Sequence, residues 1–180
     1  NAVNDAPTAN AASAVTTEDQ DIVISLSGSD IDGDALTFSL ASDASNGSVT
    51  IDGSFATYTP DTNFNGDDSF TFSVSDGELS DTAEVTLSVS AVNDAPVLVA
   101  VSNVSFDEDG SGSTTLSGSD IDGDALTYSI SGGTDITATV DGSTVSFSAS
   151  DNFNGSESFT ATVTDDQLSS SQAFTVTVNA

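Results

Sequence analysis

No side chain in this sequence carries a positive charge: it has no Lys, Arg or His against 29 Asp and Glu. No carboxylate can therefore form an ion pair with another side chain. A chain of formal charge -29 repels itself out of a compact state unless something neutralises it. Counterions, backbone N–H groups, helix N-termini and bound metal are the remaining candidates. Of the acids, 24 are Asp and 5 are Glu, and many of the Asp sit in tight runs such as Asp30-Ile31-Asp32-Gly33-Asp34. Short carboxylates clustered away from any cation suit a hard divalent ion, and for an all-oxygen site that ion is calcium.

The same absence removes most chemistry. Without His, Lys or Cys there is no usual general base near neutral pH, no thiol nucleophile and no Schiff base. Zinc, copper and haem lose their imidazole and thiolate ligands. Nucleic acid and anionic membrane surfaces are excluded as partners, since both need Lys or Arg. A glycosidase built on paired carboxylates survives on paper. Such an enzyme needs a deep cleft, usually lined by aromatics, and this chain has no Trp and 2 Tyr. The chain is read as non-enzymatic. With no Cys, no disulfide supports the fold. No apolar run reaches the length of a membrane span, and no membrane insertion is expected. The sequence lacks Met and starts inside a motif, so it reads as an excerpt of a longer polypeptide and, as excised, a monomer.

Internal repetition sets the organisation. AVNDAP occurs at Ala2–Pro7 and Ala91–Pro96, LSGSDIDGDALT at Leu26–Thr37 and Leu116–Thr127, and NFNG at Asn63–Gly66 and Asn152–Gly155. The offsets are 89 or 90 residues, which gives two units, 1–92 and 93–180, each large enough for one core. Within a unit the apolar residues alternate: Ile22, Ile24, Leu26; Leu36, Phe38, Leu40; Phe70, Phe72, Val74; Val85, Leu87, Val89. In the second unit Phe159, Ala161, Val163 and then Phe174, Val176, Val178 repeat the pattern. Period two buries one face of a strand and wets the other. Asp52-Gly53 and Asp141-Gly142 are read as two-residue hairpin turns, and Asn46-Gly47 and Asp76-Gly77 as further turns. Seven short strands per unit and no helical periodicity predict an all-β chain, two tandem Greek-key sandwiches of antiparallel sheets.

AVNDAP, SDIDGD, NFNG followed by x-D-S-F, and V-S-D-G, in that order and twice over, resemble the tandem cadherin-like repeats of large bacterial surface proteins and adhesins. The resemblance implies immunoglobulin-like sandwiches with calcium at the junction between consecutive domains. It also implies a secreted or bacterial cell-surface location, with neighbouring repeats of the same polypeptide as partners. Carried over residue by residue, Glu18 and Glu108 match the Glu near the start of each domain. Asp68 and Glu157 match the acidic residue before the F strand, with Asp67 as a second candidate. Asn93-Asp94 and Asn4-Asp5 match part of the linker. Asp120 and Asp122, and in the first unit Asp30 and Asp32, match the Asp-x-Asp pair. Asp76 and Asp165 match a late Asp before Gly, although Asp165 is followed by Asp166. Ala91 and Ala95 replace two linker ligands, which implies fewer ions than the three of animal cadherins. Glu18, Asp68, Asp94, Asp120, Asp122 and Asp165 would bring six negative charges to the one complete junction, enough for one to three ions.

Blander readings compete with each of these. An Asp-rich loop is often only a solvated turn. An independent EF-hand fails, because the sixth and twelfth positions counted from Asp30 are Ala35 and Ala41 where Gly and Glu are required. Phe64 and Phe153 read as core plugs under a loop, and Asp43 as a loop acid without a partner. The function expected is a calcium-stiffened extender; the alternative is a module that binds carbohydrate or pairs homophilically with its like.

Overall fold

A computed structural model describes residues 3–180 of the chain; Ala2, the first residue of the first AVNDAP copy, lies outside them. All regular structure among the described residues is β, and no helix there is long and apolar enough to cross a membrane. The chain divides into two compact units, the first ending at Val92 and the second running Asn93–Ala180.

The first unit holds nine strands: β1 (Thr8–Asn10), β2 (Ala12–Thr17), β3 (Ile22–Ser25), β4 (Ser27–Ser29), β5 (Thr37–Ser42), β6 (Gly47–Asp52), β7 (Phe55–Pro60), β8 (Gly66–Ser75) and β9 (Ser80–Ser90). They form a four-stranded sheet β2-β9-β8-β5, a three-stranded sheet β3-β7-β6 and the short pair β1-β4. The second unit repeats the plan with β10 (Val97–Leu98), β11 (Val104–Asp107), β12 (Ser111–Thr115), β13 (Gly118–Ser119), β14 (Thr127–Gly132), β15 (Ile136–Asp141), β16 (Thr144–Ala149), β17 (Gly155–Thr164) and β18 (Ser169–Asn179). Its sheets are β11-β18-β17-β14, β12-β16-β15 and β10-β13.

The alternating residues are the cores. Phe70, Phe72, Val74, Val85, Leu87 and Val89 are buried with Ile24, Leu26 and Tyr58 in the first unit. Phe159, Ala161, Phe174, Val176 and Val178 are buried with Phe106, Leu116 and Phe147 in the second. Phe64 and Phe153 pack against these cores from their loops. The β6–β7 turn is Gly53-Ser54, since Asp52 still pairs with Phe55, so the turn lies one residue later than the sequence indicated. The same shift applies at Asp141, which pairs with Thr144.

One feature differs from the antiparallel expectation. β2 runs parallel to β9, with Ala12 beside Val85 and Thr17 beside Ser90, and β11 runs parallel to β18. The chain leaves β1 and crosses to the other sheet without reversing direction, so its first long strand travels with its last. Each unit is therefore entered at one end and left at the other. The β9 strand that spans the two ends has 11 residues, about 35 Å at the usual rise.

Candidate metal centre

The acidic motifs of the first unit collect at its leading end. Asp30 closes β4 and turns the chain back over itself: its Oδ1 accepts the N–H groups of Asp32 (2.8 Å), Gly33 (2.9 Å) and Asp34 (3.1 Å). Gly33 has φ +84, the left-handed region that disfavours a side chain, while open space surrounds the position of its absent Cβ. Backbone conformation, not crowding, calls for glycine there. Asp32 Oδ2 accepts the Asp5 N–H (2.8 Å), and Asp76 Oδ2 accepts the Asn4 amide (3.0 Å). Asp76 Oδ1 also accepts the N–H groups of Glu78 and Leu79, each at 2.7 Å.

The second unit builds the same arrangement. Asp122 and Asp124 donate their N–H groups to Asp120 Oδ1 at 2.9 and 3.3 Å, and Asp94 N–H reaches Asp122 Oδ2 at 2.8 Å. Asn93 gives its amide to Asp165 Oδ2 at 2.9 Å. Asp165 Oδ1 takes the N–H groups of Gln167 and Leu168 at 2.6 Å each. The departure at Asp166 is accommodated: Asp166 adopts φ 80, as Gly77 adopts φ 102 at the matching place.

Carboxylate oxygens of Asp30, Asp32 and Asp34 lie within 4.8 Å of one another, as do those of Asp120, Asp122 and Asp124. Asp34 stood in the acidic run read as suited to calcium, but neither it nor Asp124 was assigned as a ligand from sequence. Their signal was present in the Asp-x-Asp-Gly-Asp spacing, but the loop closure that brings the third carboxylate back is a backbone property.

Glu18 occupies the opposite, trailing end of its unit. It follows β2, where its N–H donates to the carbonyl of Ser90 at 3.0 Å, and its Oε1 accepts the N–H of Val92. Glu18 is 3% exposed, and its Oε2 is buried with no hydrogen-bond partner. The Oδ2 atoms of Asp30 and Asp120 share that condition. A buried, ionised and unpaired carboxylate oxygen costs on the order of several kcal/mol. With no cationic side chain in the sequence, a bound divalent ion is the compensation that fits this donor set, which consists wholly of oxygens. Glu108 stands at the equivalent place in the second unit, its N–H on the carbonyl of Asn179 at 2.8 Å.

Asp68, which the resemblance groups with Glu18, lies toward the trailing end of its unit beside Leu87, and Glu157 lies at the matching place beside Val176. Asp68 pairs with Leu87 in the ladder and turns its carboxylate to the β5–β6 loop, and Glu157 does the same toward the β14–β15 loop. Asp67, the second candidate, is an exposed residue at the start of β8. Asp43, read as a loop acid without a partner, accepts the N–H groups of Ala44 and Val49 at 2.9 Å each; a turn acid facing its own backbone was indistinguishable in sequence from an idle one.

Several of these carboxyls are held below the usual carboxylate range. The Leu79 and Glu78 N–H groups do this to Asp76, the Asn93 amide and the Leu168 N–H to Asp165, and the Ala9 N–H to Asp81. A lowered folded-state pKa contributes stability that is complete above the unfolded value, about 4, and is lost as pH falls through the folded value. Acid also relieves the repulsion among 29 carboxylates, with the opposite sign. About 1 M salt shortens the screening length to about 3 Å and suppresses that second effect. In such salt, with EDTA present, the melting temperature is expected to hold above about pH 5 and fall below about pH 4. A melting temperature that stays level down to pH 2 contradicts this account.

The family model described as "Bacterial Ig domain" matches residues 4–88 and again 93–179. No curated protein matches the chain. Among solved structures, human protocadherin-24 EC1-2 (form II) is 18% identical over 97% of this chain and 99% of its own, with a TM-score of 0.60. The cadherin domains 1–4 of protocadherin gamma B7 are 18% identical over 96% of this chain and 49% of their own, with a TM-score of 0.56. These likenesses show a cadherin-like fold. An endo-fucoidan hydrolase of glycoside hydrolase family 107 is 25% identical over 96% of this chain, at a TM-score of 0.43. The chain spans only 28% of that enzyme's length, and the superposition is too loose to carry an argument.

Proposed function

Because the chain belongs to the bacterial Ig domain family in both of its units, we propose that it is a non-enzymatic extender segment of a secreted or surface-anchored bacterial protein, stiffened by calcium where one unit follows the next. The observation that carries this reading is Glu18, buried at the trailing end of its unit with an oxygen that has no hydrogen-bond partner among the described residues.

Glu18 holds the N–H of Val92, and the next residue, Asn93, is held by Asp165 through its amide. The acids assigned to the trailing end of one unit and to the leading end of the next thus grip adjacent residues of one covalent linker. Glu18, Asn93, Asp94, Asp120, Asp122 and Asp124 would hold calcium there, while Asp165, both of whose oxygens already accept hydrogen bonds, would position Asn93. Asn4, Asp5, Asp30, Asp32 and Asp34 offer the same leading-end set in the first unit, with Asp76 positioning Asn4. Bound calcium would neutralise carboxylates that otherwise repel one another. The residues themselves fix the linker: Asp122 through the Asp94 N–H and Asp165 through the Asn93 amide. Opposite ends for entering and leaving the unit suit serial stringing of repeats. Little supports a sugar-binding role, since Phe55 is the sole aromatic among the large exposed hydrophobic residues described.

Glu18→Gln separates this reading from general acidity. Gln keeps an oxygen for the Val92 N–H and removes the buried charge. The melting temperature in EDTA is expected to stay level or rise, while calcium affinity falls by about tenfold or more, or about 1.4 kcal/mol. Small-angle scattering should show a larger radius of gyration with calcium than with EDTA in the parent chain, and a smaller difference in Glu18→Gln. Unchanged calcium affinity in the variant would remove Glu18 from the site.

A further inference from the structure

We infer that Asp68 and Glu157 are internal clasps, not cation ligands: each closes the loop that carries the chain from one sheet of its unit to the other, β5–β6 or β14–β15, by accepting a set of backbone N–H groups. As an assignment of ligands the inference rests on the calcium reading, but the clasp itself stands on hydrogen bonds that owe nothing to a metal.

The geometry assigns every donor. Asp68 Oδ1 accepts the N–H of Ser45 at 3.1 Å and of Ser69 at 2.8 Å. Its Oδ2 accepts the N–H of Asn46 at 2.9 Å and the hydroxyl of Tyr58 at 3.1 Å. Glu157 Oε2 accepts the N–H groups of Thr134 and Ile136 at 2.9 Å each, and Oε1 that of Asp135 at 3.1 Å. Both oxygens of each carboxylate are engaged by protein. Glu18, by contrast, has one oxygen with no hydrogen-bond partner. Calcium at Asp68 or Glu157 would compete with donors that already occupy both oxygens, and each N–H it displaced would lose the acceptor it has in the fold.

The two units reach the same end with different side chains. Tyr58 in the first unit stands where Phe147 stands in the second, one alternation apart from the same turn in β7 and β16. The phenol hydroxyl supplies a fourth donor to the short Asp68. Phe147 supplies none, and the longer Glu157 reaches three consecutive N–H groups of its loop. That loop is drawn tight: Gly133 has φ +80, and a Cβ there would lie 2.3 Å from the carbonyl oxygen of Ile136. A paired exchange of Asp with Tyr for Glu with Phe preserves the clasp in both units, which an exposed metal ligand would not need.

The test uses the full chain. Asp68→Asn and Glu157→Gln each replace an acceptor oxygen by an amide that faces N–H donors. In EDTA, hydrogen exchange at Ser45 and Asn46, or at Thr134, Asp135 and Ile136, is expected to lose protection, with a melting temperature lower by about 4–8 °C or more. Calcium affinity, read by isothermal titration with calcium chloride, is expected to stay within about threefold of the parent. A larger loss of affinity overturns the inference, as does unchanged exchange in EDTA. If a substituted unit fails to fold, Tyr58→Phe removes a single donor. It should lower the melting temperature in EDTA and leave calcium affinity unaltered, and a level melting temperature counts against the clasp. A parent chain that binds no calcium would sink the proposed function, while the EDTA measurements still decide the clasp.

Discussion

Saturating calcium is expected to raise the melting temperature of this chain by about 10–20 °C for each site filled, and EDTA to reverse it. Extracellular calcium modules bind with Kd on the order of 10⁻⁴–10⁻³ M. At a hundredfold excess over Kd, one site adds about 2.7 kcal/mol of stability. For a unit of roughly 90 residues, 1 kcal/mol corresponds to about 4–8 °C. Two physical effects act in the same direction here. Calcium bound as proposed would compensate Glu18, whose Oε2 is buried without a hydrogen-bond partner, and would lower the repulsion among the carboxylates of Asp120, Asp122 and Asp124. A simple salt screens only the second effect, because burial shields Glu18 from mobile ions. Sodium chloride at equal ionic strength should therefore recover only part of the gain. Equal recovery by sodium and calcium would mean that diffuse charge, and no defined site, is responsible.

Phe72→Ala is expected to be the most damaging single substitution in the first unit. Phe72 is fully buried, and its ring lies 6.3 Å from that of Phe38, which closes the same sheet from the neighbouring strand. Truncating a buried Phe costs about 3–5 kcal/mol through lost transfer energy and the cavity left behind. Against a typical total of about 5–15 kcal/mol, with a small disulfide-free unit toward the low end, that is enough to unfold the first unit near ambient temperature. The core of the second unit contains no residue of the first. Hydrogen exchange should consequently lose protection across β8 and β9 and keep it across β17 and β18. Retained protection in β8 and β9 would show that the core is not organised around Phe72.

Much of this protein was legible in its residues. The exact return of LSGSDIDGDALT after 90 positions gave the two units, and the alternation Phe70, Phe72, Val74 gave strands with a buried face. The lack of any cationic side chain left bound metal among the few means of neutralising 29 carboxylates, whatever the fold. Alternation states which face of a strand is buried, but not which strand lies beside it. Hence the parallel pairing of Ala12–Thr17 with Val85–Ser90 was hidden. It follows from a crossing of the chain between sheets, which leaves no mark in period-two patterning.

The division of labour among the acids was decided by tertiary structure alone. In sequence Asp68 and Glu18 are equally plausible ligands, since each is an acid beside a strand. Folding brings Ser45, Asn46 and Tyr58 to Asp68 from 10 to 23 positions away, and its oxygens are fully engaged. Folding buries Glu18 against Val92, from 74 positions away, and leaves one oxygen unmet. Composition determined that these carboxylates need compensation. Which are compensated by backbone N–H groups, and which stay open to an ion, depends on donors supplied across the fold, because a hydrogen bond is a short-range contact between groups that sequence order does not place together.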